Sequence, residues 1–447
     1  MLAATSVIPS FVIPLELSTT TTTSSHRLAR SPPHSRSTLV PPGVGRSVEA
    51  PRVLSTMWHL VATYLLLFAT LSIGSAPPTD RDCGHDLINL WLDVVVVVDN
   101  SIGMTQEGLT EVAAQIVTVF GGGTRIGTNN YADKRTTRVG LVTYNEVANI
   151  QADLNRFQSA DDLFNSVFSI LPHLSSSDEV YLAKGIAAAE QVLTAGRKNN
   201  TRSNYKQFVL IYASAYNDDG MGDPRPIAER LKTSGVNIAT VAFDQTGDQD
   251  ILKAIGEIAS PGFNFTNKDE DLVGEVQAAM VQTNCYCSNL WHQYRDQFGV
   301  ASSQKYGVCL RPVAITAGWT PAKFACQNMI QMGYMVTEYN QKKHDFVFKL
   351  IQNDTSFPEP YIYHIGLSYV NGGYFWQQPV GHALVPVNSN DSFWNPGFPQ
   401  QSSTSPAVLN QQASSVISVG WQNVNQFTVA ERYVCEVSSC DTENYCE

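Results

Sequence analysis

The chain has 447 residues, of which 43% are hydrophobic and 15% charged, and a formal net charge of −11. That length holds two domains of ordinary size, each able to bury a core, and the composition excludes a chain that is disordered throughout. The acidic balance argues against nucleic acid or an anionic membrane surface as the main partner.

Residues 1–56 are rich in Ser, Thr and Pro, hold the run Thr19 to Ser25 and show no sustained apolar period, which predicts disorder. Met57, Trp58 and His59 lead into an apolar block from Leu60 to Ile73, followed by Gly74, Ser75 and Ala76. That is the shape of a secretory signal peptide over 57–76, and a block of about 14 residues is short for a spanning helix. The expectation is that Met57 is the true start and that residues 1–56 come from an over-extended gene model; a signal anchor is the competing reading. The mature chain is then secreted, with no membrane span. All eight cysteines lie beyond this segment, and an even count in a secreted chain implies disulfides. Sequons at Asn199, Asn264, Asn353 and Asn390 are consistent with glycosylation in the same compartment.

From Cys83 to about Asn284, strand and helix patterns alternate. Val94 to Val98 is too short to cross a membrane and too β-branched for a helix, so it reads as a buried central strand of a parallel sheet. Ligands of such sheets sit at the carboxyl ends of the strands, where Asp99 and Ser101 stand. Apolar residues at Leu109, Val112, Ile116, Val119 and Phe120 predict a helix over 106–120. After a loop at 121–131, strands are predicted at 138–144, 208–212 and 236–243, with a short one at 263–265. Helices are predicted at 182–193, 224–231, 250–259 and 270–281. Strands separated by helices in this way form right-handed crossovers and an α/β doubly wound parallel sheet covered on both faces.

This order, with Asp99-Asn100-Ser101-Ile102-Gly103 after the first strand, resembles the von Willebrand factor A domain over residues 83–284. The family pattern in that loop is Asp-x-Ser-x-Ser. The resemblance implies a divalent cation held by the Asp and hydroxyls of this loop, a Thr of a second loop, and an Asp in a Thr-Asp-Gly after the strand equivalent to 208–212. Carried over, Asp99, Ser101 and Ser175 are the candidate ligands; Gly103 replaces the second Ser, and Ala213-Ser214-Ala215 replaces Thr-Asp-Gly. Carboxylates supply most of the affinity for hard cations, and the second one is missing, although Asp218 and Asp219 lie just beyond. No cofactor is therefore expected beyond weak Mg or Ca. Asp99 otherwise caps the next helix or closes its loop through its own backbone.

After Cys285 and Cys287 the chain changes character. Five of its seven tryptophans fall there, and short strands with amide-rich loops replace the βα alternation. Helices are predicted at 321–332 and 341–351, and strands at 361–369 and 433–436. Four stretches resemble a C-type lectin-like domain, an α+β fold, over 285–438: Ala325-Cys326 in the first helix, His364-Ile-Gly-Leu367 where the family has Trp-Ile-Gly-Leu, Phe393-Trp-Asn-Pro-Gly-Phe-Pro399, and Tyr433-Val-Cys-Glu436. Residues 439–447 are left as a Cys-containing tail, and the tandem looks like a group of secreted nematode proteins. The resemblance implies bridges Cys326–Cys435 and Cys287–Cys309. Cys83 and Cys285 bracket the first domain and are taken as a pair, which leaves Cys440 with Cys446. No His or Cys set at zinc-site spacing accompanies Cys285 and Cys287.

Sugar binding in this family works through a calcium held by Glu-Pro-Asn or Gln-Pro-Asp in a long loop and by Trp-Asn-Asp before the last strand. The matching stretches here are Phe398-Pro399-Gln400 and Trp421-Gln422-Asn423, so Phe and amides stand where carboxylates are needed, and calcium-dependent binding is disfavoured. Trp394, Pro399, Gln400, Trp421, Gln422 and Asn423 remain the candidate carbohydrate loop; Trp394 and Trp421 either stack on sugar rings or belong to the core. The chain has no nucleophile elbow, no His-Glu-x-x-His helix and no phosphate-cradling loop, so an enzyme is not expected. The resemblance implies a secreted protein that binds carbohydrate or microbial or host surface ligands, in innate defence and largely without metal. The alternative is an extracellular adhesion or matrix protein acting through protein contacts of the A-type domain.

Overall fold

The computed structural model describes residues 78–128, 131–217, 222–243, 248–388, 392–413 and 418–447. The expectations for 1–56 and the signal peptide at 57–76, and those for Asp218, Asp219 and Asn390, lie outside the described residues.

The valine run forms strand β1 (Leu92–Asp99), buried along its whole length. The other strands of its sheet are β2 (Arg138–Tyr144), β3 (Ala148–Ala152), β4 (Lys206–Ala213), β5 (Asn237–Ala242) and β6 (Asn264–Thr266), in the spatial order β3-β2-β1-β4-β5-β6. Helices α1 (Gln106–Phe120), α2 (Ala160–Ile170), α3 (Leu182–Gly196), α4 (Arg225–Thr233), α5 (Gln249–Ile258) and α6 (Leu272–Asn284) cover both faces. Side chains alternate across a strand. Val94, Val96 and Val98 accordingly join Leu109, Ile116, Leu163 and Val276 in one core layer, while Val95 and Val97 join Ile186, Leu231 and Ile255 in the other. A fully buried aliphatic side chain contributes about 1.5–3 kcal/mol, so β1 is the strand on which both layers are built.

Two elements depart from the sequence reading. β3 runs antiparallel to β2, so the sheet is parallel in all but its edge pair. Its side chains are mostly exposed, which removes the apolar signal. Helix α2 buries only Leu163 and Val167, too few positions to display a period, and starts on Ser159, whose side chain accepts from the Asp162 N–H.

The second half contains β7 (His292–Arg295), β8 (Lys305–Ala317), β9 (Tyr334–Met335), β10 (Ile362–Val370), β11 (Gly373–Trp376), β12 (Val385–Pro386), β13 (Ala407–Gln412), β14 (Val419–Val424) and β15 (Glu431–Ser438). Its helices are α7 (Trp319–Met329) and α8 (Gln341–Gln352). The sheet runs β12-β11-β10-β15-β8-β7, with β13 and β14 attached at β10 and β9 at β15. Helix α7 stops at Met329 rather than Met332, because the backbone at Ile330 is already extended (φ −152°, ψ 146°); Gly333 then lies against the Cys326 carbonyl with no room for a Cβ. Gly366 of the His-Ile-Gly-Leu stretch is confined in the same way, its missing Cβ facing the Met335 carbonyl at 2.6 Å.

The bridges are Cys83–Cys285, Cys287–Cys309, Cys326–Cys435 and Cys440–Cys446. The third ties α7 to β15 across 109 residues of sequence. The tail folds back on the first half. Trp91 is fully buried there, its indole N–H donates to the Asp441 carbonyl at 2.9 Å, and Tyr445 packs on its ring at 4.9 Å between centroids. Arg81 reaches Asp441, and the Asn204 amide donates to the Cys446 carbonyl.

Candidate functional site

In the first half, the loops after β1 and β4 meet at the carboxyl end of the sheet, because the register sets Asp99 beside Tyr144 and Val98 beside Tyr212. Asp99 is fully buried. One of its oxygens accepts from the Ser101 backbone N–H at 2.9 Å. The other accepts from the Ser214 N–H at 3.1 Å and from the Ser214 hydroxyl at 2.5 Å. Ser101 is buried as well, and its hydroxyl makes no hydrogen bond. Gly103 brings bare backbone to the same spot: a Cβ there would lie 3.1 Å from Ser214 Oγ and 3.5 Å from Ser101 Oγ. Ser175 sits on the neighbouring loop, where its N–H donates to the Asn100 carbonyl at 2.8 Å. Its hydroxyl accepts from the Ser177 N–H at 3.0 Å.

Asp99, Ser101, Gly103 and Ser214 are thus brought together, and the Ser175 hydroxyl is engaged elsewhere. A divalent cation takes six or more oxygens, with carboxylates supplying most of the affinity. The side chains at this spot are one carboxylate whose lone pairs already meet three protein donors, and hydroxyls. As they stand they do not fit the ion. The negative Asp99 is still felt next door: burial first, and its charge second, push the Tyr144 hydroxyl well above the ordinary phenol range. Ile102 and Val147, on loops of this same end, are exposed apolar side chains.

In the second half, the candidate carbohydrate residues divide between core and surface. Trp421 is fully buried, Trp394 partly so, and their rings meet edge to face at 5.6 Å; Trp394 also packs on Tyr374 at 4.8 Å. Pro399 and Gln400 are exposed, and Gln422 is half-buried. Asn423 is buried and grips the loop: its side-chain oxygen accepts from the Gln400 N–H at 2.7 Å, and its amide donates to the carbonyls of Gln400 and Ser405. A neutral side chain therefore joins the long loop to β14 by direct hydrogen bonds.

Beneath the loop lies a polar cluster that the sequence reading did not find. Glu338, fully buried, accepts from His344 Nδ1 at 2.8 Å, from the Trp421 indole N–H at 3.1 Å and from the Asn410 amide at 2.8 Å. His344 Nε2 faces the Val419 carbonyl at 3.2 Å, so both ring nitrogens donate and the imidazole carries a proton. Burial alone lowers its pKa, but the Glu338 carboxylate outweighs that effect and raises it. A second cluster holds Lys343, with Asp80 at 2.7 Å, Glu436 at 2.9 Å and Thr337 at 2.9 Å. Nothing in local spacing marks these groups, and only the fold brings their partners to them.

Comparison with known proteins gives three findings. Residues 93–279 match the von Willebrand factor type A domain family. The C-type lectin domain-containing protein 160 of Caenorhabditis elegans is 31% identical over 380 residues, covering 82% of this chain and 56% of that protein. The chain thus spans a little over half the length of this curated relative. Among solved structures, proximal thread matrix protein 1 from the mussel byssus aligns at 14% identity and a TM-score of 0.38, over 46% of this chain and 51% of that one. A Ca2+-independent C-type lectin, SPL-2 from Saxidomus purpuratus, aligns at 20% identity and a TM-score of 0.26, over 34% of this chain and 93% of that one.

Proposed function

With a von Willebrand factor type A domain at residues 93–279 and a C-type lectin-like domain after it, the chain is a two-module binding protein, and we propose that it is secreted and recognises carbohydrate on microbial or host surfaces without metal. Innate defence is the role this reading assigns to it. The observation that carries it is the Asn423 clasp on Gln400, which joins the long loop to β14 by direct hydrogen bonds, beside a row of rings in which half-buried Trp394 stands between Tyr374 and Trp421. Secretion is supported by the four disulfides and by the exposure of Asn199, Asn264 and Asn353, as glycan attachment requires. Among the described residues, no helix is long and apolar enough to cross a membrane. Both modules are typically non-catalytic, which supports a binding role over an enzymatic one.

The test is a glycan array probed with the full glycosylated chain, with and without chelator. Binding should survive the chelator, and Trp394→Ala should weaken it about tenfold, one stacking contact of about 1.4 kcal/mol. Binding abolished by the chelator would overturn the metal-free reading. A second reading has its own support: exposed Ile102 and Val147 around Asp99 suit protein contacts of an adhesion or matrix protein. Retention in insoluble matrix, with no glycan bound, would favour it.

A further inference from the structure

We infer that the loop cluster around Asp99 is a closed hydrogen-bonded lock in which Ser214 does an ion's work, and that two side-chain changes, at Gly103 and Ser214, reopen it to a divalent cation. The inference deepens the metal-free reading above and rests on it for the first half of the chain.

The starting point is electrostatic. A buried carboxylate is costly unless its charge is met by donors or by a cation. Asp99 is met by donors: the Ser101 amide on one oxygen, and the Ser214 amide and hydroxyl on the other. The Ser214 hydroxyl, at 2.5 Å, is the shortest of the three and arrives from a strand end 115 residues away. It therefore ties the loop after β1 to the loop after β4, a join that an ion between two carboxylates would otherwise make. Two features show that the pocket was not built for this bond alone. The Ser101 hydroxyl is buried and bonds to nothing. The absent Cβ of Gly103 points into the same space, in ordinary contact with Ser101 Oγ and slightly tight to Ser214 Oγ. Gly103 is not among the glycines with a left-handed φ, so a serine is allowed there by the backbone.

Replacing Ser214 with Asp removes the donor and sets a second carboxylate against the first. Two like charges in a buried site repel strongly, and a cation relieves them. Adding serine at 103 supplies one more oxygen beside the idle hydroxyl of Ser101. The substituted site then has two carboxylates and two hydroxyls on one space, a donor set of the kind a hard cation takes.

The experiment is thermal unfolding of the full chain in chelator and in millimolar Mg, Mn or Ca. Wild type is expected to show no shift with any ion. The G103S/S214D chain should melt below wild type in chelator and rise by several degrees with Mg or Mn, because an ion that binds only the folded state stabilises it by mass action. S214N, neutral and similar in size to Asp, should show no ion response. Should the double variant fail to fold, S214A carries the test: loss of one hydroxyl should lower the melting temperature by a few degrees, still without ion response. A wild-type shift that D99N abolishes would overturn the lock. So would a folded double variant blind to every ion, or an S214A chain as stable as wild type. Glycan binding that needs calcium but is unchanged in D99N would overturn the metal-free reading of the lectin-like half while leaving the lock intact.

Discussion

The two halves of the molecule hold themselves together by different means. In the first half, β1 sends aliphatic side chains into two continuous layers, and its buried charges stand only at the strand's two ends: Asp93, which Arg138 and Arg202 meet, and Asp99, which Ser101 and Ser214 hold. In the second half, ionised groups sit inside the fold itself: Lys343 between Asp80 and Glu436, and Glu338 beneath His344, Asn410 and Trp421. Regular βα layers give every strand residue an apolar neighbour. A fold made of short strands and long loops lacks that repeat, so a few strong polar contacts do the joining. The lesson is that the first half should fail gradually and the second at single points.

Three measurements on the full chain sharpen or break that contrast. Glu436→Gln should have the largest effect, because it removes one of the two carboxylates facing the buried Lys343 and weakens the bonds to Thr337 and Tyr334. Asp80 still pairs with Lys343, so the cost is that of several bonds to one charged acceptor, each worth about 1.5–3 kcal/mol, or about 3–5 kcal/mol together. Hydrogen exchange should speed up in β15 and α8 while β1 stays protected; equal loss in both halves would end the contrast.

The pH dependence comes next. Burial lowers the His364 pKa from 6.5 to about 4, so the unfolded chain takes up a proton first as pH falls. Stability is then lost between about 6.5 and 4, on the order of 3 kcal/mol at about 1.4 kcal/mol per unit. His344 has the opposite sign. Its pKa is raised in the folded state, so its contribution is complete below the ordinary histidine value and is lost as pH rises through the raised one. His364→Gln should flatten the acid side of a denaturation profile and His344→Gln the alkaline side. Profiles that neither substitution alters would mean the titration lies elsewhere. Last, Val96→Ala in the centre of β1 should cost about 2 kcal/mol, the lost methyl groups plus a small cavity. It should loosen the first sheet without changing the pH profile.

Much of the fold was legible in the sequence because periodicity and local chemistry write it there. The valine run, the helical spacing over 106–120 and the Ala325-Cys326 and Tyr433-Val-Cys-Glu436 stretches mark two modules of known type. The edge pair β2–β3 and helix α2 were not legible, since an exposed edge and a helix with two buried residues leave no apolar period. At the candidate sites, the sequence displayed which oxygens were missing but not what took their place. Ser214 read only as a lost carboxylate, and Asn423 only as a weak calcium ligand.

Residue order by itself determined two modules in tandem, the strand on which the first is built, and the substitution of neutral groups for carboxylates at both loop ends. Tertiary structure alone decided that Ser214 closes on Asp99 from 115 residues away, that Asn423 clasps the backbone of Gln400, that Glu338 gathers His344, Asn410 and Trp421, and that the tail returns to cover Trp91. The reason is physical. Periodicity reports which face of a local element is apolar, whereas the partner of a buried polar group is set by where distant loops end, and that is known only once the chain has closed on itself.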